Sequence, residues 1–320
     1  MCIRDSFRTY FSVVVHFDLE RFFQKFCLWD RELLQVPKMP RDFAQHLTEF
    51  EQKGLTCFPN QLDKSTIEQW QSIFQNEALD PKPDRKRYDT YQLIDKYPQT
   101  TIPFVSNAEV LDFLEMLMGP FVSLEALAMA ATFPTQTDPN EVDYGIHWHR
   151  DMWATVGWTS DYLPPNAVNV LNYFPNLNQD NGAFRYIPGS HRKHFFITGN
   201  QAQEAHSEEK LLYPKMGDTL LVHSGLLHSG SGNFSCQMRY FVSRFYAKCW
   251  YPRREQTNIS PIQSFIANAE SKRDRRLMRL FGKDDLLLSR AGQSGSLPES
   301  EIWQQWILED QQYKLAEKTT

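Results

Sequence analysis

The sequence predicts an α+β fold, a core of short β-strands buttressed by helices from both ends. Two patterns predict it. Apolar residues recur at helical spacing in the N-terminal third and again after Pro261. Between them lie short aromatic or β-branched runs bounded by Pro, Gly, Asn and Asp, as in a sandwich or barrel. An aromatic content of 14 % suits many short strands, and 320 residues suffice to bury a sizeable core.

Residues 1–38 show no clear periodicity, and Met39 offers a second plausible start. They are expected to be an extension or a wrongly assigned start, an amphipathic helix being the alternative, with 39–320 forming the domain. Phe43, Leu47 and Phe50 then lie at helical spacing and Gly54 supplies a stop. Ser65 with Glu68 reads as a capping box ahead of Ile67, Trp70, Ile73 and Phe74. Ser106 with Glu109 repeats the device before Val110, Leu114 and Leu117, and Gly119-Pro120 ends that helix. Strands are expected over 166–174, 183–187, 219–223 and 238–247. Helices follow over 265–281 and 302–315, with a flexible loop at 292–296 between them.

A net charge of -5 and a pI near 6.0 argue against nucleic acid as a partner, because phosphate binding needs a clustered basic surface. The densest basic run, 271–276, reads as the solvated face of a helix. Five scattered cysteines without a CxxC pair imply reduced thiols and a cytoplasmic location. No run approaches a membrane span; the best, Phe11 to Phe17, is interrupted by His16.

The chemistry concentrates in Gly145-Ile146-His147-Trp148-His149-Arg150-Asp151. Residues two apart on a strand point the same way, so His149 and Asp151 can converge on one point. An imidazole and a carboxylate so placed are two thirds of a facial triad that leaves positions open on Fe(II). The pair alone is a weak signal, since a histidine bonded to a nearby carboxylate looks the same, and His147 shares the face. His149-Arg150-Asp151 also evokes a kinase catalytic loop, but Val156 stands where that loop needs Asn, and no glycine-rich phosphate loop or D-F-G exists. The third ligand must come from another strand. Of His223 and His228, the latter leads a glycine–serine turn that permits close approach, and Arg239 follows on the next strand. A buried arginine beside a metal suits a dicarboxylate, which its planar fork binds through two parallel hydrogen bonds. His223 and His191 are expected to be structural, and Trp148, Trp153, Trp158 and Tyr162 to be mostly core.

His149-Arg150-Asp151, the run from Asn181 through Pro188-Gly189-Ser190-His191, Gly217-Asp218, and His228 with Asn233, Ser235 and Arg239 occur together in order. In these features the chain resembles the phytanoyl-CoA dioxygenase (PhyH-like) family of 2-oxoglutarate oxygenases from about Met39 to Trp250. The resemblance implies a double-stranded β-helix (jelly-roll) core. It implies iron bound by His149, Asp151 and His228, with Arg239 on the distal carboxylate of 2-oxoglutarate. It implies Fe(II), 2-oxoglutarate and O2 as cofactor and co-substrates, with ascorbate as a reductant. The expected reaction is hydroxylation of a small-molecule C–H bond with release of succinate and CO2. Family substrates include acyl-CoA thioesters, amino-acid derivatives and secondary metabolites, and Arg150, Arg185, Arg192 and Lys193 are candidates for a basic rim. In related halogenases a small residue replaces the carboxylate, so Asp151 favours hydroxylation.

The sequence departs from the pattern in two places. The turn after the distal histidine is usually H-G-S-G and here is His228-Ser229-Gly230-Ser231, so Ser231, or else Ser229, is expected on 2-oxoglutarate. Arg150 stands where Gln is frequent, which would alter charge at the mouth of the site. Asn169, on a strand crossing the barrel, is a candidate for a hydrogen bond to the co-substrate. The alternative class is a cupin-like metal-binding jelly roll without 2-oxoglutarate turnover; Arg239 speaks against it, because such a protein needs no dicarboxylate anchor.

Overall fold

The computed structural model describes residues 43–77, 87–134, 145–152, 164–193, 196–292 and 299–316. All fall in the compact unit Asp42–Thr320. The proposed extension over 1–38, the loop after Gly292, and Trp153, Trp158 and Tyr162 lie outside the described residues.

Two antiparallel sheets form the core. The larger contains β1 (Leu55–Phe58), β2 (Arg87–Thr90), β3 (Val122–Thr132), β4 (Ala167–Tyr173), β7 (Thr219–His223) and β9 (Arg239–Lys248), in the order β1-β7-β4-β9-β3-β2. The smaller contains β5 (Phe184–Tyr186), β6 (Lys210–Leu212) and β8 (His228–Ser229), in the order β6-β5-β8. The inner residues of the two meet: Leu55, Leu171, Tyr173, Leu220 and Val222 pack with Phe184 and Tyr186. This is the expected double-stranded β-helix.

Helices cover the other face of the larger sheet. The helices among the described residues are α1 (Ala44–Lys53), α2 (Lys64–Glu77), α3 (Leu93–Lys96), α4 (Pro98–Val105), α5 (Ala108–Met118), α6 (Ser260–Ser271) and α7 (Arg275–Leu280), with α8 (Leu287–Ala291) and α9 (Glu299–Leu315) packing in a separate cluster on Phe121. Phe50, Trp70, Phe104, Leu114 and Ile262 pack there on Val168, Val170, Leu221 and Val242. Because β4 is covered on both sides, every residue in it is buried, and the polar–apolar alternation of a half-exposed strand is lost. Gly54 stops α1 as predicted, in the left-handed conformation (φ 86°).

Three local expectations are corrected. α2 begins at Lys64, so Ser65 lies inside the helix, and the cap is Asp63, whose Oδ1 accepts from Thr66 N–H at 2.7 Å. α5 is capped by Asn107, whose side chain accepts from Val110 N–H, not by Ser106. Ser106 ends α4 instead, and its hydroxyl donates to the Ile102 carbonyl at 2.8 Å. The single helix expected over 265–281 is two: Arg273 turns left-handed (φ 53°) and Asp274 caps a new start by accepting from Leu277 N–H. The basic run 271–276 is consequently no solvated face. Arg276 pairs with Asp112 at 2.7 Å and Arg275 with Asp285 at 3.1 Å. Among the described residues no helix is long and apolar enough to cross a membrane, and Cys57, Cys236 and Cys249 carry no disulfide.

Candidate metal centre

Strand logic places the histidines. The segment around His149 continues the smaller sheet beyond β8: His149 N–H donates to the His228 carbonyl and His228 N–H to the His149 carbonyl, both at 3.0 Å. Two imidazoles directly opposed on an antiparallel pair share one face, and here their ring centroids are 4.4 Å apart. Asp151, two residues on, joins them from the same side. Its Oδ1 lies 3.8 Å from His149 Nε2 and 3.7 Å from His228 Nε2. Two metal–ligand bonds of about 2.1 Å span up to about 4.2 Å, so one cation can bridge either imidazole to the carboxylate. Among the described residues these three form the one His/Asp cluster able to hold a metal.

The next layer of contacts prepares each donor. His149 Nδ1 bonds the His147 carbonyl at 2.8 Å, and His228 Nδ1 bonds the Leu226 carbonyl at 3.0 Å. A carbonyl only accepts, so each Nδ1 carries the proton and each Nε2 presents its lone pair, the tautomer a metal requires. Desolvation and the neighbouring His228 imidazole lower the His149 pKa to about 4. Phe184 stacks on His228 at 5.4 Å, fixing its ring. The Asn169 amide donates to Asp151 Oδ2 at 2.9 Å and its oxygen accepts from Ser243 Oγ at 2.6 Å, which leaves Oδ1 for the metal side. Asn169, expected on the co-substrate, has its amide N–H on Asp151 and its amide oxygen on Ser243.

Arg239 is buried on β9. Its Nη1 donates to the Asn181 carbonyl at 2.7 Å and Nη2 to Thr132 Oγ1 at 3.3 Å, while Nε has no partner. Among the described residues no carboxylate pairs with it, and burial lowers its pKa. A β-carbon on Gly182 would stand 2.3 Å from Nη1, and one on Gly230 3.6 Å from Nη2. The bare backbone at Gly182 thus makes room for the guanidinium, which also lies beside Gly230 in the turn that begins at His228. A buried cation short of acceptors is the partner a carboxylate needs.

The remaining predicted residues have protein partners of their own. Ser231 Oγ donates to the Ala183 carbonyl and accepts from Arg185 Nε; Ser229 Oγ accepts from His147 N–H and donates to the Gly230 carbonyl. Both hydroxyls are engaged in holding backbone and neighbours. Arg150 does not stand at the mouth. Strand alternation sends it to the opposite side, where it donates to the carbonyls of Ser190, Gly225 and Lys193, and burial lowers its pKa to about 10. Arg185 pairs with Glu209 at 2.5 Å, so neither arginine forms a basic rim. His223 Nδ1 accepts from Gly225 N–H and His191 bonds the Glu51 carbonyl at 3.0 Å, structural roles as expected. Trp148 is core and donates to the Glu204 carbonyl. Sequence reasoning missed Ser243 and Thr132; alternation along β9 and β3 was the one signal that could have found them.

The family model of phytanoyl-CoA dioxygenase (PhyH) matches residues 50–241. No curated protein matches the chain. Among solved structures it is similar to HygX from Streptomyces hygroscopicus with nickel and 2-oxoglutarate bound, at 15 % identity and TM-score 0.56 over 70 % of this chain and 94 % of that one. HygX with iron bound gives 16 % identity and TM-score 0.53, covering 70 % and 94 %. The non-heme alpha ketoglutarate dependent epimerase SnoN from nogalamycin biosynthesis gives 15 % identity and TM-score 0.50, covering 67 % and 84 %. At such identities the likeness is one of fold. The family match spans more than half of the sequence and includes the whole His149–Asp151–His228 cluster, and the chain belongs to the phytanoyl-CoA dioxygenase (PhyH) family.

Proposed function

We propose that this protein is an Fe(II)- and 2-oxoglutarate-dependent oxygenase that hydroxylates a C–H bond of a small molecule, releasing succinate and CO2. The observation that carries the reading is the pairing of two sites. One is a His149–Asp151–His228 cluster with both Nε2 atoms presented; the other is a buried arginine with no carboxylate partner among the described residues, lying beside Gly230 in the His228 turn. Bound iron with 2-oxoglutarate and O2 supplies the oxidising power of the reaction.

The chain supplies position. Backbone carbonyls of His147 and Leu226 hold the two imidazoles in the ligating tautomer, and Asn169 turns one Asp151 oxygen toward them. Arg239 takes the distal carboxylate of 2-oxoglutarate through its fork and sets the orientation of that molecule. His149, Asp151 and His228 would hold the iron and leave room on it for co-substrate and O2. The presence of the Asp151 carboxylate supports hydroxylation, while the fold shared with SnoN makes epimerisation the alternative outcome. A hydroxylase product gains an oxygen atom, and an epimerised product keeps its mass.

The test is the visible charge-transfer band of the anaerobic Fe(II)–2-oxoglutarate complex, followed by a metabolite screen for succinate release with the mass of each product. His149→Ala, Asp151→Ala and His228→Ala should each lose the band, whereas His147→Ala and His223→Ala keep it. Breaking a buried charge pair costs on the order of 3–5 kcal/mol, so Arg239→Leu should weaken 2-oxoglutarate binding by roughly two to three orders of magnitude. Arg239→Lys should recover part of it, keeping the charge and losing the fork. Unchanged 2-oxoglutarate affinity in Arg239→Leu would put the anchor elsewhere, and a metal site indifferent to 2-oxoglutarate would favour a jelly roll without turnover.

A further inference from the structure

The register of β3 against β9 shifts between Leu124 and Ala126, so Glu125 is the extra residue of a β-bulge. Its carbonyl accepts from the backbone N–H groups of both Arg254 and Glu255, each at 2.9 Å. Its carboxylate, 9 % exposed, grips the Arg254 guanidinium through Nε and Nη2, both at 2.7 Å. Glu255 turns the other way and accepts from the buried Leu127 N–H at 2.7 Å. Arg254 is thereby fixed at its backbone and at one edge of its fork. Yet 58 % of its side chain meets solvent, and its Nη1 has no partner among the described residues.

The location of this fork gives it meaning. The Arg254 Cζ lies 5.9 Å over the Phe245 ring. Phe245 is the cross-strand partner of Asn169, which holds Asp151, and of Ala126 on the other side. Phe245, Ala126, Ala167 and Ala247 form a small apolar cluster against which Met152, the residue after Asp151, also packs. The Glu125 carboxylate keeps Arg254 above the ordinary arginine range, and its ring partner Phe245 stands on the same sheet face as Asn169, which holds Asp151.

Resting on the oxygenase reading, we infer that Arg254 determines substrate choice: its outward N–H groups bind an anionic group, carboxylate or phosphate, of a small molecule held beside Asp151. An exposed ion pair contributes little to stability by itself. Preorganisation by a bulge, a forked carboxylate and two backbone bonds is what a recognition residue needs, because little freedom is left to lose on binding.

Three probes with one shared body test this: 3-phenylpropionate, 2-phenylethylphosphonate and the neutral 3-phenylpropan-1-ol. Each is titrated calorimetrically into the anaerobic Fe(II)–2-oxoglutarate complex and into the metal-free protein. At least one anion should bind about tenfold or more tightly than the alcohol, the worth of a hydrogen bond to a charged group. The stronger of the two identifies carboxylate or phosphonate as the fitting chemistry. Arg254→Gln should erase the preference and Arg254→Lys retain part of it. Because Arg254→Gln strands Glu125, the double variant Glu125→Gln/Arg254→Gln is measured beside it and should likewise show no preference. An alcohol that binds as well as both anions, no binding by either anion, or a preference that survives in both glutamine variants overturns the assignment. A missing charge-transfer band in the wild type counts against the oxygenase reading instead, and the metal-free titration still decides the role of Arg254.

Discussion

Asp151 has two oxygens and the fold uses them differently. Oδ2 accepts from Asn169 and Oδ1 faces the two imidazoles. Removing the amide frees the carboxylate to rotate, and loss of such an outer contact typically costs about 10–100-fold in metal affinity. Asn169→Ala should therefore weaken Fe(II) binding by roughly that factor, while Asn169→Asp should be worse because it sets a second negative charge against Asp151. Anaerobic Fe(II) titration measures both, and wild-type affinity in Asn169→Ala would show that Asp151 needs no support. The three donors were legible in the sequence, because H-x-D on a strand and a histidine before a glycine–serine turn are local patterns. The partner of Asn169 was not legible. Its contact with Asp151 depends on how a segment of the smaller sheet folds over β4 of the larger one, and no spacing in the chain encodes that meeting. Arg150 shows the same limit: alternation sent it away from the metal, but only the fold put three carbonyls there to receive it.

At the level of elements, strand runs survived translation into structure better than helix ends did. The expected strands over 219–223 and 238–247 are β7 and β9 almost residue for residue, since bounded β-branched runs leave little choice of register. The helix starts moved because capping residues cluster. Ser106 and Asn107 stand side by side, both able to cap α5, and the tie was broken by α4, whose last turn takes the Ser106 hydroxyl. This separates the two in a measurable way. Asn107→Ala removes a true cap and should cost about 1 kcal/mol, within the usual 0.5–2 kcal/mol for such a change. Ser106→Ala loses a hydroxyl bond to an already helical carbonyl and should cost a few tenths of a kcal/mol at most. Urea denaturation of the two variants orders them, and equal losses would mean that the N-terminus of α5 draws no stability from its cap.

For the molecule as a whole, the least legible feature is the attachment of the C-terminal helix. The charges that hold it are scattered along the sequence, and nothing in their spacing marks them as partners. Arg279, 1 % exposed, pairs with Asp284 at 2.6 Å and with Asp310 of α9 at 2.7 Å, and lies 3.9 Å from Glu115 of α5. Arg290 meets Asp310 at 2.9 Å from the other side, and Lys314 pairs with Asp274. Burial alone would lower the Arg279 pKa, but Asp284, Asp310 and Glu115 together raise it above the ordinary arginine value. Asp310 goes the opposite way: burial would raise it, and Arg290 and Arg279 bring it below the carboxylate range. A depressed carboxylate contributes stability that is complete above its unfolded pKa and is lost as pH falls through the lower folded value. Its share of stability is therefore retained at neutral pH and disappears only in acid. Replacing Arg279 with Met keeps the bulk and removes the charge, leaving Asp284 and Asp310 buried with fewer partners. Breaking a buried network this way costs on the order of 3–5 kcal/mol at neutral pH. The loss should shrink as pH falls below the ordinary carboxylate range near 4, because protonated acids no longer need the arginine. Denaturation of wild type and Arg279→Met across that range tests the network directly. A difference that stays constant with pH would assign the effect to packing of the side chain rather than to its charge.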